Sequence, residues 1–374
     1  MHLDWLDGAI VAAYLAGITA TGLLASRRQT ETSARYFLAG RALGWPTIGL
    51  ALFATNISTV HLIGLASSGF SDGLVIGNFE WLAPFLLIVL GLVFAPFYFR
   101  SRVSTLPEYL EGRYGPGART FLAFMAVVGA LFIHIGVTLY AGAVMFKSFV
   151  DLPIVWSILI VSVLTILYTA LGGLRAVVVT EAIQAVLLIA GALAVTAFGI
   201  AALADAGFES LADVRAAARP GQVSMIRTDG EFAWWIMLLG YPVIGIWYWC
   251  SDQTIVQRVL GARSERDAQL GPLFAGFIKI LPVFVMVFPG IIGYLLFKDV
   301  LLENPDQTLV VLIQKLLPAG LRGLVIAGLL AALMSTVAGA LNSTATLVSI
   351  DIVKRLRPGT PDRAMPSPEE SPLV

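Results

Sequence analysis

The chain has 374 residues, 58% of them hydrophobic and 13% charged, and its formal net charge is zero. Soluble domains carry roughly a quarter charged residues, so this composition excludes an ordinary soluble domain. The zero net charge leaves no footprint for nucleic acid. One cysteine, Cys250, excludes an internal disulfide framework, and three scattered histidines (His2, His61, His134) lack metal-ligand spacing.

Apolar runs long enough for a hydrocarbon core of about 20 residues predict an all-α polytopic membrane protein. Nine spans are expected, near 5–25, 45–70, 79–99, 119–146, 153–170, 180–204, 232–250, 270–297 and 322–350. Asp4 and Asp7 precede the first run where a signal peptide would carry Lys or Arg, so that run is read as a mature helix. Sixteen of the 24 Lys and Arg residues fall after odd-numbered spans, Arg258 among them. Seven fall after even-numbered spans, and Lys279 lies within one. The positive-inside rule then places the N-terminus outside and the C-terminus in the cytoplasm. Residues 358–374, rich in Pro, Ser and Glu, are expected to form a disordered cytoplasmic tail.

The second span is interrupted by Ala54-Thr55-Asn56-Ile57-Ser58-Thr59, with His61 and Gly64 following. In the seventh, Gly240, Pro242 and Gly245 precede Trp247-Tyr248-Trp249. Interrupted helices in two halves of a transporter point to a midplane site; kinks with small residues packing helix on helix are the alternative. Glu80 opens the third span, Glu181 opens the sixth near Gln184, and Asp252 and Gln253 end the seventh. Glu181 and Asp252 therefore fall near an interface, where solvated and functional roles are both open. Lys279 lies about ten residues into the eighth span, too deep to reach water easily. It serves either a functional site or a structural ion pair. In the ninth span Ala332, Ser335 and Thr336 stand at i, i+3 and i+4 on one helix face. Two hydroxyls and a freed carbonyl suit a weakly held monovalent cation; a small-residue packing face is the other reading. No nucleophile–base pair or paired catalytic carboxylates appear, so an enzyme is not expected.

Taken together, Leu52 through Ser58 with His61, Phe79-Glu80-Trp81, Gly172-Gly173-Leu174, Trp247 through Gln253 with Gln257-Arg258, Lys279, and Ala331 through Asp351 resemble the sodium/solute symporter family. They look most like its sodium/glucose cotransporter branch, and the similarity runs from about residue 5 to 355. The resemblance implies a LeuT-type inverted-repeat fold within residues 1–357: an extra N-terminal helix at 5–25, a first repeat near 45–204 and a second near 232–350. On this count the second repeat lacks its last two helices, as in a C-terminally shortened chain. Polar residues of the ninth span, including Asn342, Ser343 and Thr344, are then expected to face lipid.

The resemblance further implies a sodium site made by Ala54, Ile57, Ala332, Ser335 and Thr336, with Thr336 where the family often has serine. It implies a sugar site of Asn56, His61, Glu80, Trp249 and Lys279, with Tyr248 as an inner gate, and places Glu181 along the sodium exit path. Ala83 and Gly245 stand where some relatives have polar sugar contacts. The implied activity is sodium-coupled symport of a glucose- or galactose-like sugar by alternating access in the plasma (inner) membrane. Sodium is the coupling ion and no other cofactor is implied. A myo-inositol or other polyol symporter, or a shortened solute-binding or sensing protein, are the alternatives.

Overall fold

The computed structural model describes residues 4–26, 33–150 and 153–357. His2, Arg27, Arg28 and the tail 358–374 lie outside these residues. Among the described residues there is no β-strand, only one isolated bridge between Leu43 and Ala262. Six helices are long and apolar enough to cross a bilayer: α1 (Trp5–Ser26), Leu74–Ser101, Pro116–Phe149, Ile154–Asp205, Glu265–Leu301 and Leu321–Leu356. A seventh crossing is the bent pair α2 (Trp45–Asn56) and α3 (Thr59–Ser71), which meet at 64°. In chain order the next two crossings are α4 (Leu74–Ser101) and, after the short α5 (Leu106–Tyr114), α6 (Pro116–Phe149).

The 52-residue helix Ile154–Asp205 would be roughly 78 Å long at 1.5 Å per residue, over twice a ~30 Å hydrocarbon core. It is divided at Gly173, whose φ of 55° and ψ of −154° are non-helical. A Cβ there would lie 2.3 Å from the Tyr36 carbonyl oxygen, so both the torsion and the contact call for glycine. The two halves are α7 (154–172) and α8 (174–205). The seventh crossing in chain order is α9 (234–251), continued after a break by α10 (Gln253–Leu260). The last two are α11 (Glu265–Leu301) and α12 (Leu321–Leu356). By length and composition six helices, or seven with the bent pair, can cross a bilayer; the division at Gly173 adds one, and the nine expected from the sequence is reached only by counting α9 as well.

The two broken crossings resume in the same way. At the first break Ile57 and Ser58 are extended, and the Ser58 hydroxyl caps α3 by accepting from His61 N at 3.2 Å. At the second, Asp252 is extended and its carboxylate caps α10 by accepting from Thr254 N at 2.8 Å and Ile255 N at 3.3 Å. A helix that restarts inside a bilayer has backbone N–H groups that water cannot serve, so a side-chain acceptor is required.

Four sequence expectations change. The break in the seventh span lies at Asp252, not at Gly240–Gly245: Pro242 sits within a continuous helix, and a π-helical turn at Trp247–Ser251 precedes the break. Glu181 is fully buried two turns into α8, because that helix begins at Gly173 rather than near 180. Arg258, counted among the cytoplasmic charges, is fully buried in α10. Asn342 and Ser343 face protein and not lipid, since α12 runs through the centre of the molecule and its most apolar window is 89% buried. α1, α2, α6 and α8 pack around it.

Candidate functional site

The break after Asn56 frees helix-terminal carbonyls. His61 N, which a continuous helix would send to Ile57 O, goes to the Ser58 hydroxyl instead. Ser335 Oγ on α12 lies 3.0 Å from Ala54 O and 3.0 Å from Ala332 O, and Thr336 Oγ1 lies 3.0 Å from Ala332 O. Four oxygens therefore gather where α12 crosses the break in α2–α3, with only two hydroxyl hydrogens among them. Ala54, Ile57, Ala332 and Ser335 are buried, and Thr336 is nearly so. The set is neutral, hard and oxygen-only, the donor chemistry suited to an alkali cation.

Two residues from Ala54 the chain contributes Asn56 to a second cluster. Lys279 Nζ, at the C-terminal end of the first segment of α11, donates to Asn56 Oδ1 at 2.5 Å and to Glu80 Oε2 at 2.5 Å. Glu80 Oε1 lies 2.7 Å from His61 Nε2. An ionised carboxylate only accepts, so Nε2 carries the proton in this contact. Asn56 Nδ2 donates to the Tyr248 hydroxyl at 3.1 Å. Lys279 Nζ also stands 5.7 Å from the centre of the Trp249 ring, and Trp249 Nε1 is 3.5 Å from the Tyr241 hydroxyl. Side chains from α2, α3, α4, α9 and α11 thus share one network. Glu80 and Lys279 are almost wholly buried, so each charge depends on the other for compensation.

This network lines a cavity of about 590 Å³. Asn56, His61, Glu80, Tyr248, Trp249 and Lys279, the six residues expected at a solute site, all reach its wall. Gly245 lines it too, while Ala83 is buried and is not part of the lining. Phe79, Phe232, Ile244 and Trp249 supply apolar faces to the same cavity. One carboxylate and one ammonium neutralise each other, which suits a ligand rich in hydroxyls and without net charge.

Glu181 stands apart from both clusters' ligand oxygens but close to the break. Its Oε1 accepts from Thr55 Oγ1 at 2.9 Å and from Arg258 Nη2, and its Oε2 from Arg258 Nε at 3.1 Å. Arg258 also donates to Thr254 O. Gly339 of α12 makes room for this pair: a Cβ there would be 2.6 Å from Arg258 Nη2. The ion pair ties α2, α8 and α10 together beside α12. Sequence reasoning gave Thr55, Tyr241 and Arg258 no part in a site. The signals for Arg258 are that Gln257-Arg258 is among the residues carrying the family resemblance and that it follows the Asp252 cap by six residues.

On the opposite end of α3, the segment 206–233 grips the helix terminus. Arg219 Nη2 donates to Phe70 O at 2.6 Å and Ser71 O at 2.8 Å, Gln222 Nε2 donates to Phe70 O at 3.0 Å, and Arg227 donates to Asp72 O. These donors satisfy the carbonyls that any helix C-terminus leaves open. Phe232 carries the same segment into the cavity wall.

Two broken helices, a cavity lined by ionisable side chains beside them and an oxygen cluster at the break belong to a LeuT-like fold. A solved sialic acid symporter, Na+-coupled and captured substrate-bound in an outward-open state, superposes with a TM-score of 0.83 at 24% identity, over 97% of this chain and 77% of that one. The sequence profile described as Sodium:solute symporter family matches residues 36–365. The human sodium/myo-inositol cotransporter is 36% identical over 406 residues, covering 97% of this chain and 56% of that protein. The rat sodium/glucose cotransporter 2 is 34% identical over 398 residues, covering 96% of this chain and 59% of that protein. The chain belongs to the sodium:solute symporter family. It spans less than two thirds of the length of these two relatives.

Proposed function

We propose that this chain carries the sodium- and solute-binding core of a symporter for a neutral polyhydroxylated solute, a sugar or a cyclic polyol. The observation that carries this reading is the cavity walled by Asn56, His61, Glu80, Tyr248, Trp249 and Lys279, beginning two residues from Ala54 of the oxygen cluster. Glu80 accepts from solute hydroxyls, Lys279 and His61 donate, and Trp249 or Tyr248 packs on the ring. Sodium held by Ala54, Ile57, Ala332, Ser335 and Thr336 bridges α12 to the break. It thereby stabilises the conformation in which Asn56 faces the cavity. Glu181, held by Arg258 and Thr55, lies beside this break and is assigned to the sodium's way out. The membrane is the plasma (inner) membrane, with the N-terminal side of α1 outside. One sodium crossing 100 mV supplies ~2.3 kcal/mol, and a tenfold gradient adds ~1.4 kcal/mol, enough for a few hundred-fold accumulation.

Glucose and galactose are the first solutes to test. Myo-inositol is the second reading, favoured by the identity to a cotransporter bearing that name. The experiment is uptake of labelled glucose, galactose and myo-inositol by the purified 374-residue chain in proteoliposomes, under inward sodium or potassium gradients. Sodium-dependent uptake of one of them is expected. Sodium-dependent binding without uptake would leave a binding or sensing protein, and neither binding nor uptake of any polyol would overturn the reading.

A further inference from the structure

The first helix, α1, contributes no atom to the oxygen cluster or to the cavity, yet it carries a buried carboxylate. Asp7 is fully buried. Its Oδ1 accepts from Gly320 N at 2.7 Å and from Gly323 N at 2.8 Å, at the N-terminus of α12. Gly320 is the residue before that helix and has φ of +88°. A Cβ at Gly323 would lie 2.7 Å from Asp7 Cα, so the two backbones are in direct contact. Arg322 Nε stands 3.7 Å from Asp7 Oδ2. Neither α12 residue at this end supplies a side-chain cap of its own. The cap comes instead from another helix, 313 residues away in the chain.

Seven residues on, and on the same face of α1, Tyr14 makes the second attachment. Its hydroxyl points at Met334 Sδ at 4.0 Å and accepts from Gln184 Nε2 at 3.0 Å. Met334 immediately precedes Ser335. Asp7 and Tyr14 therefore hold α12 at its end and next to its cation-ligand hydroxyl.

We propose that α1 is a positioning element for the cation cluster: Asp7 fixes the axial position of α12, and through it the reach of Ser335 and Thr336 to Ala54. The inference rests on reading that cluster as the sodium site. The physical link is the unbroken stretch of α12 from Leu321 to Leu347. A helix of this kind moves along its axis as a rod. Gly320 and Ser335 are roughly 22 Å apart along it, so a slip at the cap arrives undiminished at the hydroxyl. A ligand site loses function when its groups leave their positions by about 0.5 Å. Removing the carboxylate strands the buried Gly323 N–H and the half-buried Gly320 N–H, and a shift of α12 toward other acceptors is the way to satisfy them. Asp7 is thus a positioning residue and touches neither ion nor solute.

The test compares Asp7→Ala, Asp7→Asn and Gly323→Ala in proteoliposomes with the unaltered chain. Sodium half-saturation and solute half-saturation at saturating sodium are read separately. Asp7→Ala should raise the sodium value about tenfold and leave the solute value within about twofold. Asn keeps an acceptor in the same place, so Asp7→Asn should return the sodium value to within about threefold of normal. Gly323→Ala keeps the carboxylate but forces the helices apart, and should raise the sodium value like Asp7→Ala. Ser335→Ala runs in parallel. If Ser335→Ala weakens sodium and Asp7→Ala and Gly323→Ala do not, this inference fails alone; if Ser335→Ala has no effect, the sodium site itself is misassigned. A uniform loss of maximal rate with unchanged sodium half-saturation would make Asp7 purely structural. Should Asp7→Ala not fold, Tyr14→Phe, which loses only a hydroxyl, must still raise the sodium value two- to threefold or the proposal falls.

Discussion

The ion pair between Glu80 and Lys279 offers a perturbation whose consequences for stability and for binding diverge. Both side chains are almost wholly buried and 2.5 Å apart. Removing one partner strands the other in a low-dielectric interior, at a cost of ~3–5 kcal/mol. Glu80→Ala leaves Lys279 with Asn56 Oδ1 as its remaining oxygen partner, and Lys279→Ala leaves Glu80 with His61. Each single variant should therefore unfold at a clearly lower temperature in detergent. The double variant has no stranded charge, so its loss should fall short of the sum of the singles by about 2–3 kcal/mol. Solute binding behaves differently. A hydrogen bond from a solute hydroxyl to a charged group contributes ~1.5–3 kcal/mol, about ten- to a hundredfold in affinity. Both single variants should lose at least tenfold in solute half-saturation, and the double variant should lose more rather than recover. The assays are thermal unfolding of purified protein and equilibrium binding of labelled solute in sodium. If the double variant recovers binding along with stability, or if both singles bind normally, the two charges serve the fold alone and the solute site lies elsewhere.

Ser335→Ala removes one of the four converging oxygens and strands Ala54 O; losing a buried ligand costs ~1–3 kcal/mol, so the sodium concentration for half-maximal binding or uptake should rise at least fivefold, and an unchanged value would refute the cation assignment. Arg258→Leu leaves the fully buried Glu181 with the Thr55 hydroxyl as its remaining donor, at 2.9 Å, so thermal stability should drop by ~3–5 kcal/mol. Adding Glu181→Leu should recover part of that loss, and no recovery would show that Arg258 is held chiefly by Thr254 O rather than by the carboxylate.

Local sequence determined a good deal about this protein. Apolar runs are long because lipid offers no partner for polar side chains, so the class and the long apolar crossings were legible along the chain. The break at 54–58 was legible as well: Asn, Ser and Thr compete for backbone hydrogen bonds, and Ser58 does so as the cap of α3. The depth of Lys279 marked it as costly and in need of a partner. The face shared by Ala332, Ser335 and Thr336 followed from helical periodicity alone.

Tertiary structure decided which of these features meet. Lys279 finds Glu80 199 residues away and Asn56 223 residues away, and no local pattern encodes a partner at that distance. Arg258 looked like a loop charge because an isolated basic residue after an apolar run usually meets water. Its burial depends on Glu181 being carried to it by α8 and on Gly339 leaving space. The second break was misplaced because Gly and Pro weaken a helix without obliging it to end. Asp252 ends it there, because its carboxylate can start the next one. Asp7 marked the entrance of the first span in the sequence, and only the packing of α1 against α12 makes it the cap of a helix that begins 314 residues later. Hydropathy and capping chemistry act over one or two turns and can be read along the chain, whereas charge compensation acts across a few ångströms of space and is fixed only when the helices have packed.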